Sequence, residues 1–456
     1  MAFQDEKYLL TNDTAAGLYE QVRELPIIDP HNHADVEEIW NNQNYEDLWQ
    51  VEAATDHYVW EMLRKRGVPE AYITGERSNR EKWNALAEVF EELAGNPTFE
   101  WIHLDLKRQL GIDELINAGT GDSIWQKAQQ ILQQDEMKPR ALLKRMNVEC
   151  MCSTDDPLDS LEFHKKLGEA PAMEGVVRPT FRPDKAMAIY KADWCDYINR
   201  LEARVGEKFQ SIQDLLGALQ ITHDYFADFG CVASDHGVEV PYAYEVEETD
   251  ANDAFRKAYA GKTLSEDEMI AFMSYMLAEL AEMDAEKGWV FQLHIGAVRD
   301  MRDSLSSTLG PDSGGDISDH TIDLVAPLTP LLNRMDDRLK IVIYTLDPNM
   351  QSTAATICRA FGQNVNMGSA WWLNDSPIGM KRQLEYIGSV DLLWNFAGMV
   401  SDSRKLLSYY SRNEMFRRVL CDVVGGLVEK GQVPLPVAER LVRHLSYERP
   451  KELFGV

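Results

Sequence analysis

Basic residues are in short supply. The 456-residue chain carries 46 Lys and Arg against 75 Asp and Glu, a formal net charge of −29. Nucleic acids and anionic membranes call for a basic surface, so neither is an expected partner. Long apolar runs are missing too: nothing approaches the roughly 18 consecutive apolar residues of a membrane-spanning helix. The opening stretch MAFQDEKYLLTND has no basic segment followed by an apolar one, and so does not read as a secretory signal. Cysteine is sparse. The six, at 150, 152, 195, 231, 358 and 421, form no dense framework, and free thiols in a reducing cytoplasm are the expectation. Cys150 and Cys152 lack the second pair that a zinc ribbon needs.

What the chain does have is a recurring unit. Its hydrophobic fraction, 45%, is enough for a large core. Eight short apolar runs with polar C-terminal ends stand out: Pro26–His33, Val148–Asp155, Val176–Arg182, Cys231–His236, Val290–Arg299, Ile341–Asp347, Asn364–Trp372 and Leu392–Arg404. Amphipathic stretches separate them; in Met269–Lys287 the residues Met273, Met276, Leu277 and Leu280 recur at helical spacing. Strands alternating with helices give a parallel α/β sheet, and eight units give a closed (β/α)8 TIM barrel in one domain spanning 1–456. Two intervals exceed a simple crossover. Residues 34–147 read as a helical insertion, or lid, after strand 1, and 237–289 as a second helical insertion after strand 4. The segment Gly310–His320, rich in Gly, Asp and Ser, reads as a loop.

Chemistry-bearing residues gather at the predicted strand ends, the face where barrels of this type carry their sites. In Ile27-Ile28-Asp29-Pro30-His31-Asn32-His33, two histidines two residues apart on a strand point the same way and can share one cation. Asp402 ends the eighth strand, next to the first in a closed barrel, and can reach the same cation. Arg404, two residues on, offers a planar fork for a carboxylate. His294 and Arg299 end the fifth strand, as a metal ligand or water-holding group and as a second anion contact. Arg182 adds a cation at the third strand end. His57 and Tyr58 matter if the insertion folds over the mouth, where the phenol can act as a general acid. The Trp371-Trp372 pair is wall or sugar-stacking surface.

Taken together these segments resemble the uronate isomerases of the amidohydrolase superfamily over nearly the whole chain. The resemblance rests on PIIDPHNH, DHYVW, GNPTFEWIHLDL, TDDPLDSLE, RPDKA, LHIGAVRD, GSAWWLNDSPIGMKRQLE and FAGMVSDSRKLLSYYSRNEMFRRVL. It implies an amidohydrolase-type barrel that interconverts D-glucuronate with D-fructuronate and D-galacturonate with D-tagaturonate. It implies one divalent cation on His31, His33 and Asp402, usually zinc, with manganese, cobalt or iron also suited, and no nucleotide cofactor. It also implies that Arg404, Arg182 and His57 contact substrate, that Tyr58 is the acid, and that the protein forms homo-oligomers. Relatives that bridge two metals do so with a lysine on strand 4, and Cys231–His236 has none, so a single metal is expected. The chain departs from the pattern at Ala34-Asp35 and at Met301-Arg302-Asp303, which bears on loop packing and the preferred uronate. A mononuclear hydrolase (deaminase or lactonase) would share His31, His33 and Asp402 but would not need Arg404. Asp402 is also the expected base, through a cis-enediol route, although a firm metal ligand is a weak base; a hydride shift is the other route.

Overall fold

Runs of β-branched and other apolar residues that are buried on both faces form parallel strands. Val290–Ile295 is buried at every position, and Lys340–Thr345 at all but its first. The structure, a computed structural model, describes residues 3–456. Its strands are β1 Ile27–Asp29, β2 Val148–Cys152, β3 Val177–Arg178, β4 Ala233–Val238, β5 Val290–Ile295, β6 Ala297–Val298, β7 Ile317–Ser318, β8 Lys340–Thr345 and β9 Val365–Met367. Strands β1-β2-β3 and β4-β5-β8-β9 make two sheets, every pairing parallel, and β6-β7 is a short antiparallel ladder.

Backbone hydrogen bonds join the two parallel sheets into a ring. Phe181 N donates to Ala233 O at 3.2 Å, and Asp235 N donates to Phe181 O at 3.0 Å. On the other side Ala397 N donates to Met367 O at 2.9 Å, Asp402 N to His31 O at 3.2 Å, and His33 N to Ser403 O at 2.9 Å. The eighth member of the ring is therefore an extended segment and not the strand expected over Leu392–Arg404. That stretch begins as a 3-10 turn, Leu393–Asn395. It cannot keep a regular ladder because Gly398 and Asp402 hold positive φ angles of 101° and 49°. Side chains replace the missing rungs: Ser401 donates its N and Oγ to the buried Asp29 carboxylate at 2.8 and 2.5 Å.

Other strands are shorter than expected. The first ends at Asp29, so His31 and His33 lie just beyond it. The fifth stops at Ile295, where Gly296 (φ 102°) turns the chain so that Ala297–Val298 pairs with Ile317–Ser318. The segment 310–320, expected as bare loop, thus contains a strand. The interval 34–147 holds seven α-helices, from Val36–Asn41 to Pro139–Arg145, and 237–289 holds Glu248–Tyr259 and Glu266–Lys287 after the end of β4. The helices of the first interval build an apolar cluster around Trp49, Trp83, Phe90 and Ile102 that reaches the ring at Ile27 and Val148. All six cysteines are free, and five are buried. Among the described residues no helix is long and apolar enough to cross a membrane.

A buried ion cluster fastens the first helical interval to the eighth segment. Lys405 Nζ lies 3.0 Å from Glu52, 3.4 Å from Asp56 and 3.7 Å from Asp105, and all four side chains are buried. Asp56 also caps the helix His57–Lys65, accepting from Tyr58 N at 2.9 Å. Lys405→Met removes the one cation from this group and leaves three enclosed carboxylates. A loss of about 3–5 kcal/mol of unfolding free energy is expected, read from denaturant titration with and without the substitution. A loss below about 1 kcal/mol would show that the carboxylates do not depend on the lysine.

Candidate active site

The chain folds so that the ends of β1, β4, β5 and the eighth segment converge. His31 Nε2 and His33 Nε2 each lie 3.3 Å from the same oxygen, Oδ1 of Asp402. Asp402 is enclosed; burial alone would push its carboxyl up, but the hydrogen bonds and charges of His31 and His33 outweigh it and hold the group well below the usual range. Its left-handed backbone (φ 49°), uncommon outside glycine, turns the carboxylate toward the histidines.

This group suits a divalent cation. Its three ligand atoms lie within 4.8 Å of one another. A tetrahedral zinc with bonds of about 2.0–2.1 Å separates its ligand atoms by about 3.3 Å, the distance at which each imidazole stands from Asp402. The field also favours added positive charge: burial pulls the His31 imidazole down, yet Asp235 and Asp402 more than offset this and raise it above its ordinary value. His33, under its burial, is pushed down to about 4 and stays neutral, as a ligand must.

Asp235, on β4, is the centre of the layer beneath. It accepts from His294 Nδ1 at 2.6 Å, faces His31 Nδ1 at 3.4 Å and pairs with Arg182 Nη1 at 3.1 Å. With Nδ1 engaged, the buried Nε2 of His294 has no hydrogen-bond partner among the described residues. Burial lowers that imidazole to about 4. Its ring stacks on Tyr344 at 4.1 Å and meets Trp371 edge-on at 4.7 Å. Arg182 is also held by Asp184 at 2.7 Å. Gly237 lets it pass, since a Cβ there would collide with Arg182 Nη2.

The helix His57–Lys65 brings its first residues, His57 and Tyr58, to the cavity wall. His57 stacks on Tyr58 (4.7 Å) and lies 5.4 Å from Trp372. The Tyr58 hydroxyl is buried without a hydrogen-bond partner among the described residues, and burial, with Asp402 next, raises the phenol well above its ordinary value. Trp372 is buried and Arg299 lies over its face at 4.8 Å, so a sugar cannot take that face while Arg299 is there. Arg299 Nη1 is itself 2.8 Å from Asp316 and 3.3 Å from Asp312. Arg404, half-buried, has no ion-pair partner within 4 Å among the described residues. All eleven expected residues line one cavity of about 960 Å³.

Three neighbours escaped the sequence reading. Asp235 stood within Cys231–His236, and an acidic residue near a strand end was a usable signal. Arg412, buried on Ser408–Glu429, packs over Trp101 at 3.5 Å and pairs with Asp375; nothing in a helical run marks it. Asp312 was one of several loop aspartates.

The model of the glucuronate isomerase family matches residues 1–454. A uronate isomerase of Thermotoga maritima is 51% identical over 453 residues, 99% of each chain. A uronate isomerase of Caldanaerobacter subterraneus is 38% identical across 100% of this chain and 99% of its own. Among solved structures, the uronate isomerase of Thermotoga maritima superposes with a TM-score of 0.97 at 51% identity, covering 100% of both chains. The glucuronate isomerase of Caulobacter crescentus does so at 0.94 and 29% identity, covering 100% of this chain and 97% of that one. A match of this extent shows that the chain belongs to the uronate isomerase family.

Proposed function

We infer that the chain is an aldose–ketose isomerase of hexuronates, converting D-glucuronate to D-fructuronate and D-galacturonate to D-tagaturonate. The observation that carries this reading is the meeting of His31, His33 and Asp402 with an unpaired arginine, Arg404, in one cavity. Those three residues would hold a single divalent cation, zinc suiting two imidazoles and one carboxylate, and it would supply Lewis-acid polarisation of the sugar oxygens.

The remaining chemistry belongs to the side chains. Arg404 anchors the uronate carboxylate with its planar fork, and Arg182 and Arg299 add positive potential at the mouth. Both imidazole contacts to Asp402 fall on Oδ1, and Oδ2 takes part in neither. Oδ2 takes the C2 proton, exchanges it with solvent and delivers a proton to C1, one carboxylate serving both carbons of a cis-enediol. Its depressed pKa makes it a weak base, so the step depends on a strongly acidified C2–H. Tyr58, kept protonated by its surroundings, donates to the C1 oxygen as it becomes a hydroxyl and takes back the proton of the C2 hydroxyl as the ketone forms, so the phenol is regenerated. His294 Nε2 and His57 position hydroxyls, and Trp371 and Trp372 wall the site. We also propose that helices of 34–147 act as a lid on a one-domain barrel, with 237–289 a second insertion. The enzyme is proposed to be a cytoplasmic homo-oligomer acting on a small molecule, its −29 charge supporting the absence of nucleic-acid or anionic-membrane partners.

Purified protein given zinc or manganese and no redox cofactor is expected to convert D-glucuronate to a ketouronate. Run in deuterated water, the proton route places solvent deuterium at product C1; product free of deuterium would replace it with a hydride shift. No turnover of either D-glucuronate or D-galacturonate would end the isomerase reading.

A further inference from the structure

Arg299 is bound by two carboxylates of unequal character. Asp316, only 4% exposed, sits 2.8 Å from Arg299 Nη1, and its second oxygen accepts from Asp300 N at 2.8 Å. Asp312 approaches the same nitrogen at 3.3 Å, is 57% exposed, and makes no other side-chain hydrogen bond among the described residues. The first is fixed structure. The second is held loosely, at the edge of hydrogen-bond range.

The segment that carries Asp312 is seated on the helix His57–Lys65. Ser313 O accepts from Arg64, and Gly314 (φ 87°) lies so close to Glu61 that a Cβ would come within 2.8 Å of its Cγ. Glu61 faces His57 Nδ1 at 3.4 Å. Asp312 itself has a left-handed backbone, φ 56°, which turns its side chain to the cavity it lines. Burial raises its carboxyl, but Arg299 first, then Arg404, His33 and His57, bring it below the usual range. Of the four, Arg299 and Arg404 are the permanent cations of the mouth.

We propose that Asp312 is a built-in competitor of the substrate carboxylate, sharing the Arg299–Arg404 mouth in the free enzyme and giving way when a uronate binds. This rests on the isomerase reading of the cavity. Substrate and product carry the same carboxylate through the reaction, so its attraction to the mouth is uniform binding, which holds both without speeding the chemistry. A movable internal carboxylate weakens that uniform term and eases product release. Asp312 thereby sets affinity for sugar acids and not the chemical step.

The test is steady-state kinetics of Asp312→Asn and Asp312→Ala with D-glucuronate, with inhibition by D-glucarate, which keeps a six-carbon chain and terminal carboxylates but has no carbonyl to isomerise. Both variants are expected to lower KM and the inhibition constant about two- to fivefold at low salt, without raising kcat. The gain should shrink near 1 M salt, where screening reaches about 3 Å. An unchanged or higher KM overturns the proposal, as does a gain that salt leaves intact. Lack of turnover by the unsubstituted protein would instead strike the isomerase reading, so the two failures are separable.

Discussion

Asp402→Asn is expected to lower kcat by about 10³-fold or more and to abolish binding of the proposed metal. The substitution keeps size and shape and removes one negative charge from a group that two imidazoles approach at 3.3 Å. An amide offers a neutral oxygen or an NH2 in its place; the first is a weaker ligand and the second repels a cation. Asparagine also tolerates the positive φ at this position better than most residues, so the effect is chemical and not conformational. The measurement is metal content by mass spectrometry after dialysis, alongside turnover of D-glucuronate. A variant that keeps stoichiometric metal and activity within tenfold would remove Asp402 from both roles. Metal retained with activity lost would keep the proton-transfer role alone.

Arg404→Met should leave metal content unchanged while kcat/KM falls about 30- to 1000-fold, the range for losing one charged partner of a carboxylate, about 2–4 kcal/mol. Arg404 differs from its neighbours in what it lacks. Arg182 is locked between Asp184 and Asp235, Arg412 is paired with Asp375, and Arg299 has Asp312 and Asp316. Of these four arginines only Arg404 has no ion-pair partner within 4 Å among the described residues, so its charge is available to a ligand. For the same reason its removal costs the fold little, and the thermal midpoint should shift by only a degree or two. Metal content separates this variant from Asp402→Asn: loss of metal would mean that Arg404 supports the cation group and not the uronate.

The site was more legible than the ring that carries it. His31, His33, Asp402 and Arg404 sit at polar ends of apolar runs, and a short spacing survives errors in strand boundaries. The pairing of β1 to β2 and β4 to β5 followed from apolar, β-branched runs such as VFQLHI. The eighth strand did not, because its regularity fails at Gly398 and Asp402 and is replaced by side-chain bonds from Ser401 to Asp29. No local pattern announces a bond between residues 372 positions apart. Asp235 and Arg412 were hidden for a related reason. Each derives its meaning from partners brought in by tertiary packing, His294 and His31 for one, Trp101 and Asp375 for the other.

The ring closes through Asp402 N to His31 O and His33 N to Ser403 O, the same short stretches that hold the cation group. During synthesis, the histidines are present almost from the start, while their carboxylate arrives after some nine-tenths of the chain has been made. A growing chain therefore has the two imidazoles without Asp402, and that group of three is complete only when its two ends are stitched together. The set of His31, His33 and Asp402 is complete only in a chain whose two ends have met, and metal content would report on that closure.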